Sequence, residues 1–268
     1  MTHNAPEVII TIMPLGLLGK KLGMSQIFDA AGTLVPVTMI QAGPCPILMK
    51  REIEREGYAA IQLGFDPKPD RLVLKPEKGL FAKLAELIKP EDRDRILATR
   101  LPRKADANDT ATLLEEIRKR HAIGALRFIR EIRLDAASSV EVGQVLDVSL
   151  FKEGDRIDII GSSKGRGFAG VVKRHHSKPG PDGHGSMYHR RPGSMGGSSA
   201  PSRVFKLKPL AGRMGGTQVT AQNLKVVKID PEKNLLFVRG SVPGAPNGYV
   251  LIRPTVKGRR SPAKTILA

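Results

Sequence analysis

The sequence predicts a mainly β protein: one β domain, interrupted first by a helical piece and then by a long, basic, glycine-rich loop. Three observations predict it. Short apolar-rich runs bounded by turn residues recur over 23–65, 126–160 and 224–252. Between the first two groups, the apolar spacing changes from that of strands to that of a helix. Between the last two, residues 161–216 lose apolar periodicity almost entirely.

The elements follow in order. Two apolar-rich runs, Gly23–Phe28 and Thr33–Ile40, flank Asp29-Ala30-Ala31-Gly32, which suits a hairpin turn. Pro36 lacks an N–H, so its strand should be an edge or bulged there. Ile47–Met49 and Tyr58–Phe65 read as two further strands, and Cys45 as a small buried hydrophobe at a strand start. From 76 to 124, Leu80, Leu84, Leu87 and Ile88 recur at helical spacing, as do Phe81 and Ala85. A second helix should open near Asp109, a good N-cap residue. It carries Glu115 and Lys119, then Glu116 and Arg120, at the i,i+4 spacing that supports exposed helices. Lys83 to Arg120 holds ten basic and eight acidic residues, so this insertion makes no strong claim on a polyanion. Strands resume at Leu126–Leu134, Val145–Leu150 and Arg156–Ile160. After the loop, Leu224–Ile229 and Leu235–Arg239 flank a turn with Pro231 at a favoured position, and Tyr249–Ile252 is the last strand. The expected organisation is a leader over 1–15, a β domain over 16–160 and 217–258 carrying the 76–124 insertion, the basic loop 161–216, and a basic tail 259–268.

Charge narrows the function. The chain of 268 residues carries 44 Lys and Arg against 26 Asp and Glu, a formal +18. Polyanions are the default partners of such a balance. With eight Phe, three Tyr and no Trp, it does not look like a protein that reads single strands mainly by base stacking. A single cysteine rules out a disulfide framework within the chain and fits a reducing compartment. No apolar run approaches the roughly 20 residues of a membrane span, and no secretory signal pattern is visible, so a soluble intracellular protein is expected. Residues 161–216 hold 13 of the 28 glycines, 11 Lys or Arg, four of six histidines and one acid, Asp182. Such a segment buries too little apolar surface to fold alone and should be extended or disordered until a partner orders it.

Gly165-Arg166-Gly167-Phe168-Ala169-Gly170 matches G-x-G-x-x-G. A dinucleotide fingerprint also needs a sustained helix after the third glycine and an acid about 20 residues on. Pro179, Pro181 and three glycines deny the helix, and no acid occurs between Gly183 and Gly216. No Walker A sequence is present. His175, His176, His184 and His189 match no structural zinc spacing and have no cysteine nearby, so no metal and no cofactor are expected. Paired carboxylates and a Ser/His/Asp arrangement are likewise wanting, and the chain is not expected to be an enzyme. RNA gives each residue type a reason: glycines allow close backbone approach, Arg and Lys neutralise phosphates, and prolines stiffen a chain without a hydrogen-bonded frame.

From Phe151 to Arg174, FKEGDRIDIIGSSKGRGFAGVVKR resembles the signature of the bacterial large-subunit ribosomal protein three family, at Phe151, Asp158, Gly161, Ser163, Gly165, Arg166, Gly167, Gly170 and Arg174. GLLGKKLGMSQIFD (16–29), RRPGSMGG (190–197), PSRVFKLKPLAGRMGG (201–216), the stretch 219–244 and VLIRPTVK (250–257) are similar to the family too. The resemblance implies a closed six-stranded β-barrel of the translation-protein type, with a helical insertion and a long irregular extension that penetrates RNA. It implies a structural constituent of the large subunit that binds its 23S rRNA near the 3′ end, acts early in assembly and sends a loop toward the peptidyl-transferase centre. The implied setting is the cytoplasm, within a ribosome, though an organellar ribosome also fits. Large-subunit proteins fourteen and nineteen are the implied protein neighbours, with no membrane partner and no homo-oligomer.

Carried onto this sequence, Lys164, Arg166, Lys173 and Arg174 match basic positions at the base of the extension, and Arg203, Lys206, Lys208 and Arg213 those of its returning limb. Lys20 and Lys21 match the basic pair of the first motif. His175, His176, Lys178, Arg190 and Arg191 complete the expected rRNA-binding set. Gly193, Ser194, Met195, Gly196, Gly197, Ser198 and Ser199 form the expected tip near the catalytic centre. Some members carry a methylated glutamine where this chain has Gly197, so that modification is not expected here.

Overall fold

The computed structural model describes residues 16–29, 31–88, 96, 125–134 and 140–255. The expected leader, most of the insertion with the helix near Asp109, and the basic tail lie outside the described residues. The described part is mainly β, as the sequence reads. Two compact units emerge: one built from the chain up to Gly161 and from Thr220 onward, the other Ser162–Val219.

In the first unit, β1 (Leu17–Phe28), β2 (Leu34–Ala42), β7 (Arg156–Ser162), β10 (Gln218–Asp230), β11 (Leu235–Arg239) and β12 (Tyr249–Pro254) pair in a closed ring, in the order β1-β12-β7-β10-β11-β2. Closure leaves no strand edge to template aggregation. A second sheet orders as β5-β4-β3-β6, from β3 (Cys45–Arg51), β4 (Ala60–Pro67), β5 (Leu126–Arg133) and β6 (Val145–Leu146). Both sheets feed one core: Leu17, Ile40, Ile157, Ile159, Leu236 and Ile252 from the ring pack in the same cluster as Ile47, Ile61 and Leu63. A smaller core gathers Phe81, Leu84 and Ile88 from helix α2 (Lys75–Leu87) and its C-terminal end with Leu48 and Leu126. Helix α1 is one turn, Ile53–Glu56.

Local chemistry explains the boundaries. The Asp29–Gly32 turn closes with the Gly32 amide donating to the Asp29 carbonyl at 2.8 Å. The β10–β11 turn holds Pro231, and the Lys233 amide donates to the Asp230 carboxylate at 3.3 Å. The α2 entry is fixed by Glu77, which accepts from the Leu74 amide at 3.0 Å and pairs with Lys68 at 2.8 Å. Three expectations change. β1 begins at Leu17, because Leu17–Lys20 pair with β12. The run Val145–Leu150 is a strand only over Val145–Leu146; Val148–Leu150 is a 3-10 turn, apolar because Val148 is buried and not because it joins a ladder. Pro36 is on a strand paired on both sides, but one residue beyond the β11 rungs, where its missing N–H costs nothing.

Cys45 is fully buried, and its thiol donates to the Leu18 carbonyl. Burial pushes the thiol up to about 12 from its ordinary 9.0. The folded value lies above the unfolded one, so the protonated thiol's contribution to stability holds below pH 9.0 and is lost as pH rises toward about 12. At pH 8, alkylation of the native protein is expected to be slow and to become fast in denaturant. Equal rates in both would show that the thiol is open to solvent.

Candidate nucleic-acid interface

The chain leaves the ring at β7 and re-enters it at β10; what lies between is nearly free of regular structure. Strands β8 (Phe168–Ala169) and β9 (Gly212–Arg213) form a two-rung ladder, Phe168 opposite Arg213 and Ala169 opposite Gly212. Helix α3 spans Val171–His175. Around this ladder the outgoing and returning limbs are tied together. The amides of Ser163 and Arg166 donate to the carbonyls of Thr217 and Met214 at 2.9 and 2.8 Å, and the Met214 amide returns a bond to Gly167 at 2.9 Å. Arg174 donates to the Leu210 carbonyl at 2.8 Å, and its guanidinium lies on Gly212, where a Cβ would come within 2.6 Å. His175 Nε2 lies 3.1 Å from the same carbonyl. The expectation of a wholly extended or disordered segment is therefore corrected at its base, where backbone pairing and one arginine compensate for the missing apolar core. From 177 to 209 the backbone donors that bond are few: Gly180 to His189 and Ser186 to Gly183 among main-chain pairs, and Tyr188 to the Ser186 hydroxyl.

The glycine motif does not form a phosphate loop. The Arg166 amide is spent on the opposite limb. A helix does follow Gly170, but it has five residues and ends at His176 in the left-handed region, φ 56°. Among the described residues, no group of three or more metal-capable side chains converges.

The electrostatics are one-sided. None of the eleven Lys and Arg in Ser162–Val219 has a carboxylate within ion-pair distance among the described residues; the unit's one acid, Asp182, lies 3.4 Å from His189. Lys164, Arg166, Lys173, Lys178, Arg190, Arg191, Arg203, Lys206 and Arg213 are exposed, as are His175 and His176; Arg174 and Lys208 are half-buried. Lys208 reaches across to donate to the Ser194 carbonyl at 2.8 Å. Gly193–Ser199 is exposed throughout, and within it the Ser194 hydroxyl donates to the Gly196 carbonyl at 3.0 Å.

The signature residues divide by role. Phe151 packs in the main core. Asp158, 2% exposed, accepts from the Asn223 amide at 3.0 Å. Gly161 admits the Pro243 carbonyl, which a Cβ would meet at 3.2 Å. These hold the ring, while Lys164 and Arg166 face solvent. The basic pair of the first motif divides as well. Lys20 is half-buried, 3.9 Å from Asp66. Lys21 is 7% exposed and donates to the carbonyls of Val242 and Gly244 at 2.7 and 3.1 Å, so its ammonium is turned into the fold and not toward a ligand. Lys21→Met leaves those carbonyls short of a donor and is expected to cost about 1–3 kcal/mol. The check is a lower denaturation midpoint at unchanged slope, with the salt dependence of RNA binding unaltered. A fall in that salt dependence at unchanged stability would make Lys21 a phosphate contact.

Two features escape the sequence reading. Arg127, Arg130 and Arg133 stand exposed along β5. In the second unit, apolar side chains also face solvent: Phe168 is 82% exposed and Leu207 fully so, the latter at φ 67°. An aromatic flanked by glycines in a polar stretch was the available signal for Phe168.

A mainly β body bearing a cation-rich segment whose one acid, Asp182, pairs with no Lys or Arg has the charge pattern of a polyanion-binding protein. The comparisons narrow the class. The family model described as Ribosomal protein L3 matches residues 76–234. The chain is 42% identical over 250 residues to the large ribosomal subunit protein uL3 of Desulfitobacterium hafniense, covering 93% of this chain and 100% of the relative. It is 44% identical over 247 residues to that of Desulforudis audaxviator, covering 92% and 98%. To that of Geobacillus thermodenitrificans it is 46% identical over 247 residues, covering 92% and 99%. The chain belongs to the ribosomal protein L3 family.

Proposed function

We propose that the protein is a structural constituent of the large ribosomal subunit. It binds large-subunit rRNA near the 3′ end, acts early in assembly, and directs Gly193–Ser199 toward the peptidyl-transferase centre. The observation that carries this reading is the Ser162–Val219 unit: eleven Lys and Arg, none paired with a carboxylate among the described residues, and almost no core. Such a surface matches phosphate backbones, whose contacts position a protein without reading sequence. The ring of six strands serves as a translation-protein-type barrel that anchors the basic segment, and other large-subunit proteins are its neighbours. Catalysis belongs to the RNA.

The tip fits a steric role. From Pro192 to Ser202 no residue is charged, after two arginines. Affinity therefore rests on cations further back, and small residues shape the crowded end. The test of the whole reading is co-sedimentation of the full chain with large subunits through a high-salt cushion. Retention is expected; release as a free RNA-binding protein would contradict it.

A further inference from the structure

Phe168 is 82% exposed, although burying it elsewhere would be worth about 1.5–3 kcal/mol. Its ring has no aromatic or guanidinium neighbour among the described residues, unlike Phe205, which lies 5.3 Å beneath Arg203. The register sets Arg213 directly opposite on the β8–β9 ladder. Directly opposed residues share a face, with Cβ atoms about 5 Å apart. Arg213 makes no ion pair among the described residues, and its guanidinium lies against Gly216. On either side of Phe168, a Cβ at Gly165 or Gly170 would meet nothing within 4 Å. Neither glycine is demanded by packing inside the protein, and neither has a positive φ. The bare backbone thus opens the approach to the ring.

We infer that Phe168 and Arg213 form a seat for one unpaired nucleotide of the rRNA, the base stacked on the ring and the adjoining phosphate on the guanidinium; this rests on the rRNA-binding reading above. A base offers a flat apolar face of the ring's own size, and its phosphate supplies the charge that the protein withholds from Arg213. A polypeptide partner would cover the ring equally well, but would not need a cation across the rung in a unit with a single acid.

The test uses the full chain and a large-subunit rRNA transcript. Phe168→Ala is expected to weaken binding about tenfold or more at unchanged log–log salt slope, since stacking is not a counterion effect. Phe168→Trp should bind as the parent does, and Phe168→Leu as weakly as the alanine variant. Arg213→Ala should lower the slope by about one unit. A benzophenone side chain at position 168 should crosslink to RNA in purified subunits. Parent-like binding by Phe168→Ala or by Phe168→Leu, or a crosslink to protein, would overturn the seat while leaving rRNA binding intact. Failure of the parent chain itself to bind the transcript would instead remove the underlying reading.

Discussion

Replacing Lys164, Arg166, Lys173 and Lys206 together by alanine is expected to weaken binding to large-subunit rRNA by about a hundredfold or more, and to lower the salt slope by about three to four units. All four side chains are exposed, and none pairs with a carboxylate among the described residues. Each phosphate contact releases about 0.9 of a counterion on duplex nucleic acid, and hydrogen bonds to charged groups contribute about 1.5–3 kcal/mol each. The quantities to measure are the dissociation constant at several salt concentrations and, on the same samples, the thermal midpoint. The midpoint should stay within error, because removing exposed, unpaired cations disturbs no packing. An unchanged slope would mean that these side chains are merely solvated. Transcripts of different sequence but matched shape should weaken alike; a loss confined to one sequence would make the contacts base-specific.

Ile40→Ala should produce the opposite pattern, a loss of about 2–5 kcal/mol in stability with the salt slope of the folded fraction unchanged. Ile40 is fully buried in β2, opposite Lys21 of β1 on one side and Leu236 of β11 on the other. A cavity there touches two ladders of the ring, and the cost is a large part of the roughly 5–15 kcal/mol that holds a domain together. Leu207→Ala, by comparison, should change stability by no more than about 0.5 kcal/mol, since the side chain is fully exposed. Denaturant titration of the free protein reads both. A small effect at Ile40 would mean that the ring collapses around the gap or contributes little to the fold.

What the sequence reveals here follows from the range of the interactions involved. The β10–β11 hairpin was legible because its cause is local: Pro231 and the Asp230 carboxylate lie within the turn itself. Cys45 was legible as a buried strand start because its neighbours in sequence are apolar. The cation-rich segment was legible because a scarcity of acids can be counted along the chain. Lys21 reads as surface because a lysine stands beside it, whereas its ammonium donates to the carbonyls of Val242 and Gly244, more than two hundred residues away. The first half of β1 does not read as a strand, because Gly19, Lys20 and Lys21 break the alternation that marks one; pairing with β12 makes it one. Arg174 reads as one more phosphate ligand, whereas in the fold it also clips Leu210 and Gly212 to the outgoing limb. Phe168 illustrates the remaining gap: its type is visible in the sequence, but its exposure and its rung partner exist only once β8 and β9 have met.

The most direct measurement is hydrogen exchange on the free protein and on the protein within purified large subunits. In the free protein, amides from about 165 to 212 should exchange fast, slowed only at the few that are bonded, Arg166, Arg174, Gly180, Ser186 and Tyr188, and near the β8–β9 ladder, while the ring strands are protected. Within the subunit the same span should become protected, as phosphate contacts and exclusion of water order the limbs. Identical fast exchange across 165–212 in the free and subunit-bound protein would contradict the account, because the segment would then hold its cations and its exposed phenylalanine for no RNA partner.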